Sequence, residues 1–266
     1  MGGAIFAYET SLELQQARGA RVEITDCTAT DTDGYSYGGA IAFWRASYPT
    51  GYNITFNMIG VDIKRSTAHV GGGVSINDKC NVQGGPGQCS RLNHGAVAVR
   101  WYDVLFESCA AIAQASERTD MMYYMGGGAY IVLADKESVI LDSVTFRSCR
   151  AAWRGGGLEA LSSLIIMNSR FEQCSAGLPA LTNQQPPFYG QAGGLYWESQ
   201  VEAAGAVLGT VTKGQDGLAT FRMNYTDFIE CTSTVRIPST GRLLEASPRT
   251  PCVPCRPACT AAAYSP

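Results

Sequence analysis

The sequence predicts an all-β fold, a right-handed parallel β-helix (solenoid) of about six coils with inserted loops. Three observations carry it: a recurring glycine block followed by apolar residues, a recurring apolar residue with a cysteine or serine three positions later, and strict alternation of the two along the chain. The glycine blocks are Gly2-Gly3-Ala4-Ile5, Gly38-Gly39-Ala40-Ile41, Gly72-Gly73-Val74, Gly127-Gly128-Ala129-Tyr130, Gly156-Gly157-Leu158 and Gly193-Gly194-Leu195. Their partners are Ile24 with Cys27, Ile63 with Ser66, Phe106 with Cys109, Phe146 with Cys149, Phe171 with Cys174 and Phe228 with Cys231. The spacing between a block and its partner varies, being shortest from Gly157 to Cys174, so each coil is short and loops are inserted into it.

The stretches between the two elements alternate apolar and polar residues, as in Arg21-Val22-Glu23-Ile24 and Ser138 to Phe146, which reads as strands. No segment carries a sustained helical stripe, although Ser11 to Ala20 is compatible with one or two helical turns. Successive coils stacked about 4.8 Å apart would place equivalent side chains in ladders. The glycines then mark corners where no Cβ fits, and the residue after each block points inward, where burial contributes roughly 1.5–3 kcal/mol. Cys27, Ser66, Cys109, Cys149, Cys174 and Cys231 would form one such ladder. In-register stacking rarely supplies the disulfide dihedral, which favours buried free thiols over cross-links in this column.

Charge and composition exclude some roles. The formal charge is -3, with 20 basic and 23 acidic residues dispersed along the chain, so there is no concentrated basic field for nucleic acid or anionic lipid. No apolar run is long enough to span a bilayer. Met1 leads directly into a repeat with no charged or apolar leader, and we read the chain as a segment of a longer protein. Ten cysteines and two sequons, at Asn53 and Asn224, point to an oxidising, glycosylating compartment, hence an extracellular or cell-surface address.

The paired motifs resemble the repeats of the chlamydial polymorphic outer membrane proteins, which couple Gly-Gly-Ala-Ile to Phe-x-x-Asn on a β-helical passenger. Gly2 to Ile5 and Gly38 to Ile41 match the first motif, whereas Cys stands where that family has Asn. The chain is also similar to pectin-lyase-like β-helix repeats of large surface proteins in algae and other protists. The resemblance covers about residues 2 to 231. It implies an adhesin-like or wall-associated structural role and carries over no catalytic residue.

The repeat domain is expected over 1–237, followed by a linker over 238–250. Residues 251–266, with Cys252, Cys255 and Cys259, resemble the start of a cysteine-rich module of ephrin-receptor-like ectodomains, which are extracellular. Disulfide pairing is favoured there over half of a zinc site, because the tail offers no second ligand pair. Cys80 and Cys89 flank a Gly-Pro loop that a disulfide would close, adding about 2–3 kcal/mol. No metal ligand set and no cofactor are expected. His69 and His94 stand alone, and Asp31 and Asp33 read as a turn rather than a calcium or acid pair. Aromatics in inserted loops, Tyr123, Tyr124, Phe188 and Tyr189, are the candidate ligand-facing residues, alongside the alternative that they cover the flanks of the solenoid.

The expectation is a non-catalytic structural or adhesive module of a large surface glycoprotein or extracellular filament. It would associate end to end with itself or with more solenoid, and with glycans or cell-surface proteins as possible partners. The alternatives are a polysaccharide lyase or hydrolase with an unrecognised carboxylate pair, and a carbohydrate-binding module.

Overall fold

The computed structural model describes residues 3–30, 36–45, 53–78, 96–112, 124–133, 138–177, 190–197, 221–236 and 243–245. Among them every regular element is a β-strand. Ser11 to Ala20, compatible with a helical turn from sequence, instead holds strand Leu12–Gln15 and an antiparallel bridge between Ala17 and Ala20.

The strands form three sheets that the chain visits in fixed rotation. Sheet one holds β1 (Ile5–Tyr8), β4 (Ile41–Arg45), β7 (Val74–Asp78), β10 (Ala129–Val132), β13 (Leu158–Leu161) and β17 (Leu195–Trp197). Sheet two holds β2 (Leu12–Gln15), β3 (Val22–Thr25), β5 (Ile54–Lys64), β8 (Val97–Glu107), β11 (Ser138–Arg147), β14 (Ser163–Met167), β15 (Arg170–Glu172), β18 (Phe221–Asn224) and β19 (Asp227–Ile229). Sheet three holds β6 (Thr67–Ala68), β9 (Ala110–Ala111), β12 (Arg150–Ala151), β16 (Ser175–Ala176), β20 (Thr232–Arg236) and β21 (Leu243–Glu245). Neighbouring strands come from successive passes of the chain and pair in parallel; the exception is β21, which pairs antiparallel along the edge of β20 and falls within the stretch read as linker.

Alternation decides which side chains enter the core. Ile41 and Phe43 of β4, Val74 and Ile76 of β7, and Leu158 and Ala160 of β13 are buried in one cluster with Phe56, Trp101, Val139 and Leu141 of sheet two. The glycines that open sheet one lie against the backbone of sheet three and the rings of sheet two.

The glycine block has two distinct reasons. A Cβ on Gly127 would collide with the Gly156 and Arg150 carbonyl oxygens, and Gly39, Gly72, Gly156 and Gly193 meet equivalent backbone, because sheet three closes directly on this column. The next position meets a ring instead. A Cβ at Gly73, Gly128, Gly157 or Gly194 would lie 2.9, 2.6, 2.7 or 2.7 Å from Cδ1 of Phe106, Phe146, Phe171 or Phe228. In the first two passes the same position is Ala4 or Ala40, and the residue in the phenylalanine register is Ile24 or Ile63. Alanine therefore occurs with isoleucine and glycine with phenylalanine in every pass, a volume compensation across the interior.

The phenylalanines stack. Rings of Phe106 and Phe146, Phe146 and Phe171, and Phe171 and Phe228 lie 4.8, 4.9 and 4.8 Å apart at 6°, 9° and 3°. Two residues after each of these phenylalanines, and after Ile24 and Ile63 in the same register, comes a left-handed corner: Asp26, Arg65, Ser108, Ser148, Gln173 and Glu230 have φ between 51° and 57°. Each such L-residue costs roughly 1–2 kcal/mol. The corner is held by an N–H donated to the next pass, as from Ser108 to Arg147 O (2.9 Å) and from Ser148 to Glu172 O (2.8 Å). Outside, Lys64, Glu107, Arg147 and Glu172 alternate in charge along one register row. Arg147 reaches Glu107 at 3.4 Å and Glu172 at 2.8 Å, and its hydrogen bond holds the Glu172 carboxyl below the ordinary range. Exposed pairs of this kind contribute little energy, but a slip of one residue would break them, so they favour one register.

Candidate functional site

The cysteine column lies where the motif spacing puts it. The left-handed corner turns the chain so that Cys109, Cys149 and Cys174 enter the core, with Cys27 and Cys231 half-buried at the two ends of the column and buried Ser66 between Cys27 and Cys109. Each thiol donates to the carbonyl two residues back or to that of the preceding pass. Cys149 Sγ reaches Phe106 O and Arg147 O, both at 3.5 Å; Cys174 Sγ reaches Phe146 O and Cys231 Sγ reaches Phe171 O, both at 3.4 Å. Ser66 Oγ donates to Lys64 O at 3.3 Å, the same local bond from a hydroxyl.

All five described cysteines are free thiols. Burial pushes the Cys149 thiol well up, and burial followed by the nearby Asp26 carboxylate raises that of Cys27. A buried thiol in its neutral form is a packing group with a weak donor, not a nucleophile. Cys109, Cys149 and Cys174 are fully buried, so iodoacetamide is expected to find no access to them in the folded chain and to label them after denaturation, with half-buried Cys27 and Cys231 reacting first. Site-resolved mass spectrometry checks this, and labelling of Cys149 as fast as Cys27 would contradict the packing. Cys80, Cys89, Cys252, Cys255 and Cys259 lie outside the described residues.

Both sequons lie at the ends of strands of sheet two. Asn53 is exposed beside the start of β5, and its Oδ1 accepts the Ala96 N–H at 2.9 Å. Asn224 ends β18, exposed, next to a left-handed Tyr225 that is 89% exposed; Thr226 Oγ1 donates to Asn224 O at 3.2 Å.

The connections between sheets differ in a way that marks one face. From sheet two to sheet three the link is constant, a left-handed residue and then Cys or Ser. Apart from the turn at Gln16 to Arg21, length variation falls on the connections entering and leaving sheet one, the longest being 198–220 between β17 and β18. The outer side of sheet one, flanked by these connections, is the candidate site. Its register rows are Ala42, Ser75, Tyr130, Glu159 and Tyr196, then Trp44, Asn77, Val132 and Leu161. The bridge column Tyr37, Val70, Met125, Arg154 and Gln191 runs alongside.

Here Tyr130 and Val132 form a second buried cluster with Val70, against which Tyr37, Met125 and Leu161 pack. Burial, then the neighbouring Glu159 carboxylate, pushes the Tyr130 phenol far above its ordinary range, so it is no acid near neutral pH. The half-buried Arg154 guanidinium lies 3.7 Å from the Trp153 ring centroid and 4.7 Å from that of Tyr196, a cation–π arrangement. Buried Arg45 and Asp78 approach to 3.9 Å at the end of the sheet.

His69, which stands alone in the sequence, is met by Ser36 across the passes: the Ser36 N–H donates to its Nδ1 at 2.9 Å, and its own N–H donates to Ser36 Oγ at 3.0 Å. Tyr124 was expected to face a ligand. It is instead 4% exposed and its ring sits 5.5 Å from that of His69, because it lies one residue before the bridge at Met125 and packs between passes. Tyr123, Phe188 and Tyr189, with Asp31, Asp33 and His94, lie outside the described residues. Trp153, Arg154 and Tyr196 were missed by the sequence reading, since nothing local distinguishes them before the register is known.

Among the described residues no three His, Cys, Asp or Glu side chains converge in a group able to hold a metal ion, and no helix is long and apolar enough to cross a membrane. No protein-family model matches the chain, and neither a curated protein nor a solved structure matches it.

Proposed function

We propose that the three sheets are the faces of a right-handed parallel β-helix, and that the chain is a non-catalytic structural or adhesive module of an extracellular glycoprotein or filament. The observation that carries this reading is the in-register repetition of whole columns through successive passes, the phenylalanine stack above all. A stack of this kind is stiff along its axis, because each coil rests on its neighbours through backbone bonds and stacked side chains. Such a body is suited to displaying loops at a distance or to joining end to end, and among the described residues its outermost strands β1, β2 and β17 have paired neighbours on one side only. Free thiols in the core are compatible with an oxidising compartment, since burial keeps them from reacting.

Expression of the chain through a secretory pathway tests the address and the glycoprotein reading. Glycan is expected at Asn224, whose neighbourhood is open, and at Asn53, each seen as a mass increase removed by an amide-cleaving glycosidase. Secreted, folded protein with both sites bare would count against the reading.

A further inference from the structure

The column of thiols has two ends, and they differ. At one end half-buried Cys231 stands in register with buried Cys174, since Glu172 pairs with Ile229 and Ser175 with Thr232. At the other, half-buried Cys27 stands in register with buried Ser66, since Thr25 pairs with Lys64 and Thr28 with Thr67. Among the described residues, only at the Cys231 end does a thiol in reach of solvent have a second thiol directly behind it.

Three features make Cys174 and Cys231 a matched pair. Their side chains interact directly, as those of Cys174 and Cys149 do deeper in the column. They also share one orientation. Cys174 Sγ donates to Phe146 O and Cys231 Sγ to Phe171 O, both at 3.4 Å and both one pass back, so the two sulfurs are offset by about the spacing of passes, about 4.8 Å. The last feature is room. Gly194 faces Cys231, where a Cβ would stand 3.3 Å from Sγ, and the adjoining strand β19 leaves Phe228 and Ile229 exposed, so the Cys231 side chain is not held from both sides as the buried thiols are.

We infer that Cys174 and Cys231 are the two ligands of a linear site for a soft, singly charged cation, copper(I). Thiolate sulfur selects copper(I) over calcium, magnesium and other hard ions. Metal–thiolate bonds are about 2.3 Å long, so two laid end to end span about 4.6 Å, close to the offset between passes, and both sulfurs are reached without moving the backbone. A structural zinc ion takes four donors, and among the described residues no group of three His, Cys, Asp or Glu forms. Binding balances without electron transfer: two Cu–S bonds form, two S–H bonds break, and two protons pass to solvent at the Cys231 end. What is given up is the pair of weak thiol-to-carbonyl bonds. The product carries one net negative charge, which the half-buried position of Cys231 leaves open to hydration. The assignment goes beyond the scaffold role and does not rest on it.

The test is titration of the reduced whole chain with copper(I) under nitrogen against bicinchoninate, whose coloured copper(I) complex reports the metal that the protein does not hold. Cys80, Cys89, Cys252, Cys255 and Cys259 are present in every variant, so their share of the metal cancels in the differences. Cys231→Ser is expected to retain one equivalent less than the unaltered chain. Cys27→Ser, likewise half-buried but backed by serine, should retain as much as the unaltered chain. Ser66→Cys completes a pair behind Cys27 and should retain one equivalent more, in a register that holds cysteine in every other pass. Undiminished retention by Cys231→Ser, a loss from Cys27→Ser as large as that from Cys231→Ser, or no gain from Ser66→Cys would each overturn the assignment.

Discussion

Gly127→Ala is expected to destabilise the folded chain by about 4 kcal/mol or more, the range reached when a substitution has no room to relax. The new Cβ would run into the Gly156 and Arg150 carbonyl oxygens, which belong to backbone already committed to pairing between passes. Moving either means opening the junction of sheets one and three. One position on, the outcome differs in kind. Gly128→Ala meets the Phe146 ring at 2.6 Å and the Gly157 carbonyl oxygen at 2.7 Å, and should cost about 2 kcal/mol by overpacking. The first two passes already show the remedy, since Ala40 coexists with Ile63 under the same pairing. Gly128→Ala combined with Phe146→Ile is therefore expected to be more stable than the two single losses sum to, by about 1 kcal/mol or more of coupling. Gly127→Ala should gain nothing from Phe146→Ile. Urea unfolding of the four variants distinguishes the two glycines.

Phe146→Ala is expected to cost about 3–5 kcal/mol, through lost burial and a cavity between two rings held by their own passes. Phe146 is fully buried and stacked on both sides, by Phe106 and Phe171. Phe228, 40% exposed and stacked on one described side by Phe171, should lose far less on the same change, about 1 kcal/mol. The position of the loss matters as much as its size. Each pass rests on its neighbours, so a gap at Phe146 separates the passes before it from those after it, and the unfolding transition should broaden or divide. Thermal unfolding followed by calorimetry reads both the shift and the shape.

Much of this architecture is legible in the sequence. The alternation of glycine blocks with Phe-x-x-Cys reports two corners, one where the chain has no room for a Cβ and one where a left-handed residue turns a cysteine inward. A third column of left-handed residues, Gly60, Asp103, Ser143, Asn168 and Tyr225, leaves no comparable signal because five different residue types occupy it. In register, Gly38 stands beside Gly71, not Gly72, so the blocks that begin at Gly72, Gly127, Gly156 and Gly193 each start one residue late relative to the block at Gly38, an offset that hides the exchange of Ala and Ile for Gly and Phe. The candidate surface was legible only in part. Trp153 and Tyr196 meet around Arg154 through a register between passes, and no local pattern announces such neighbours. Tyr124 shows the converse error, an aromatic near an insertion that the stacking of passes buries.

On the proposed reading, function is a matter of what the stacked passes display. Its interior is fixed by the columns, while sheet one is flanked by connections of very different length and sheet two offers an open, mixed polar and aromatic face. Everything therefore depends on the passes lying directly on one another in the stated register. Ring-to-ring nuclear Overhauser effects in a sample labelled at phenylalanine test this most directly. With ring centroids 4.8 and 4.9 Å away, Phe146 should give cross-peaks to both Phe106 and Phe171, and Phe171 to Phe228. A folded sample in which Phe146 contacts neither Phe106 nor Phe171 would contradict the account.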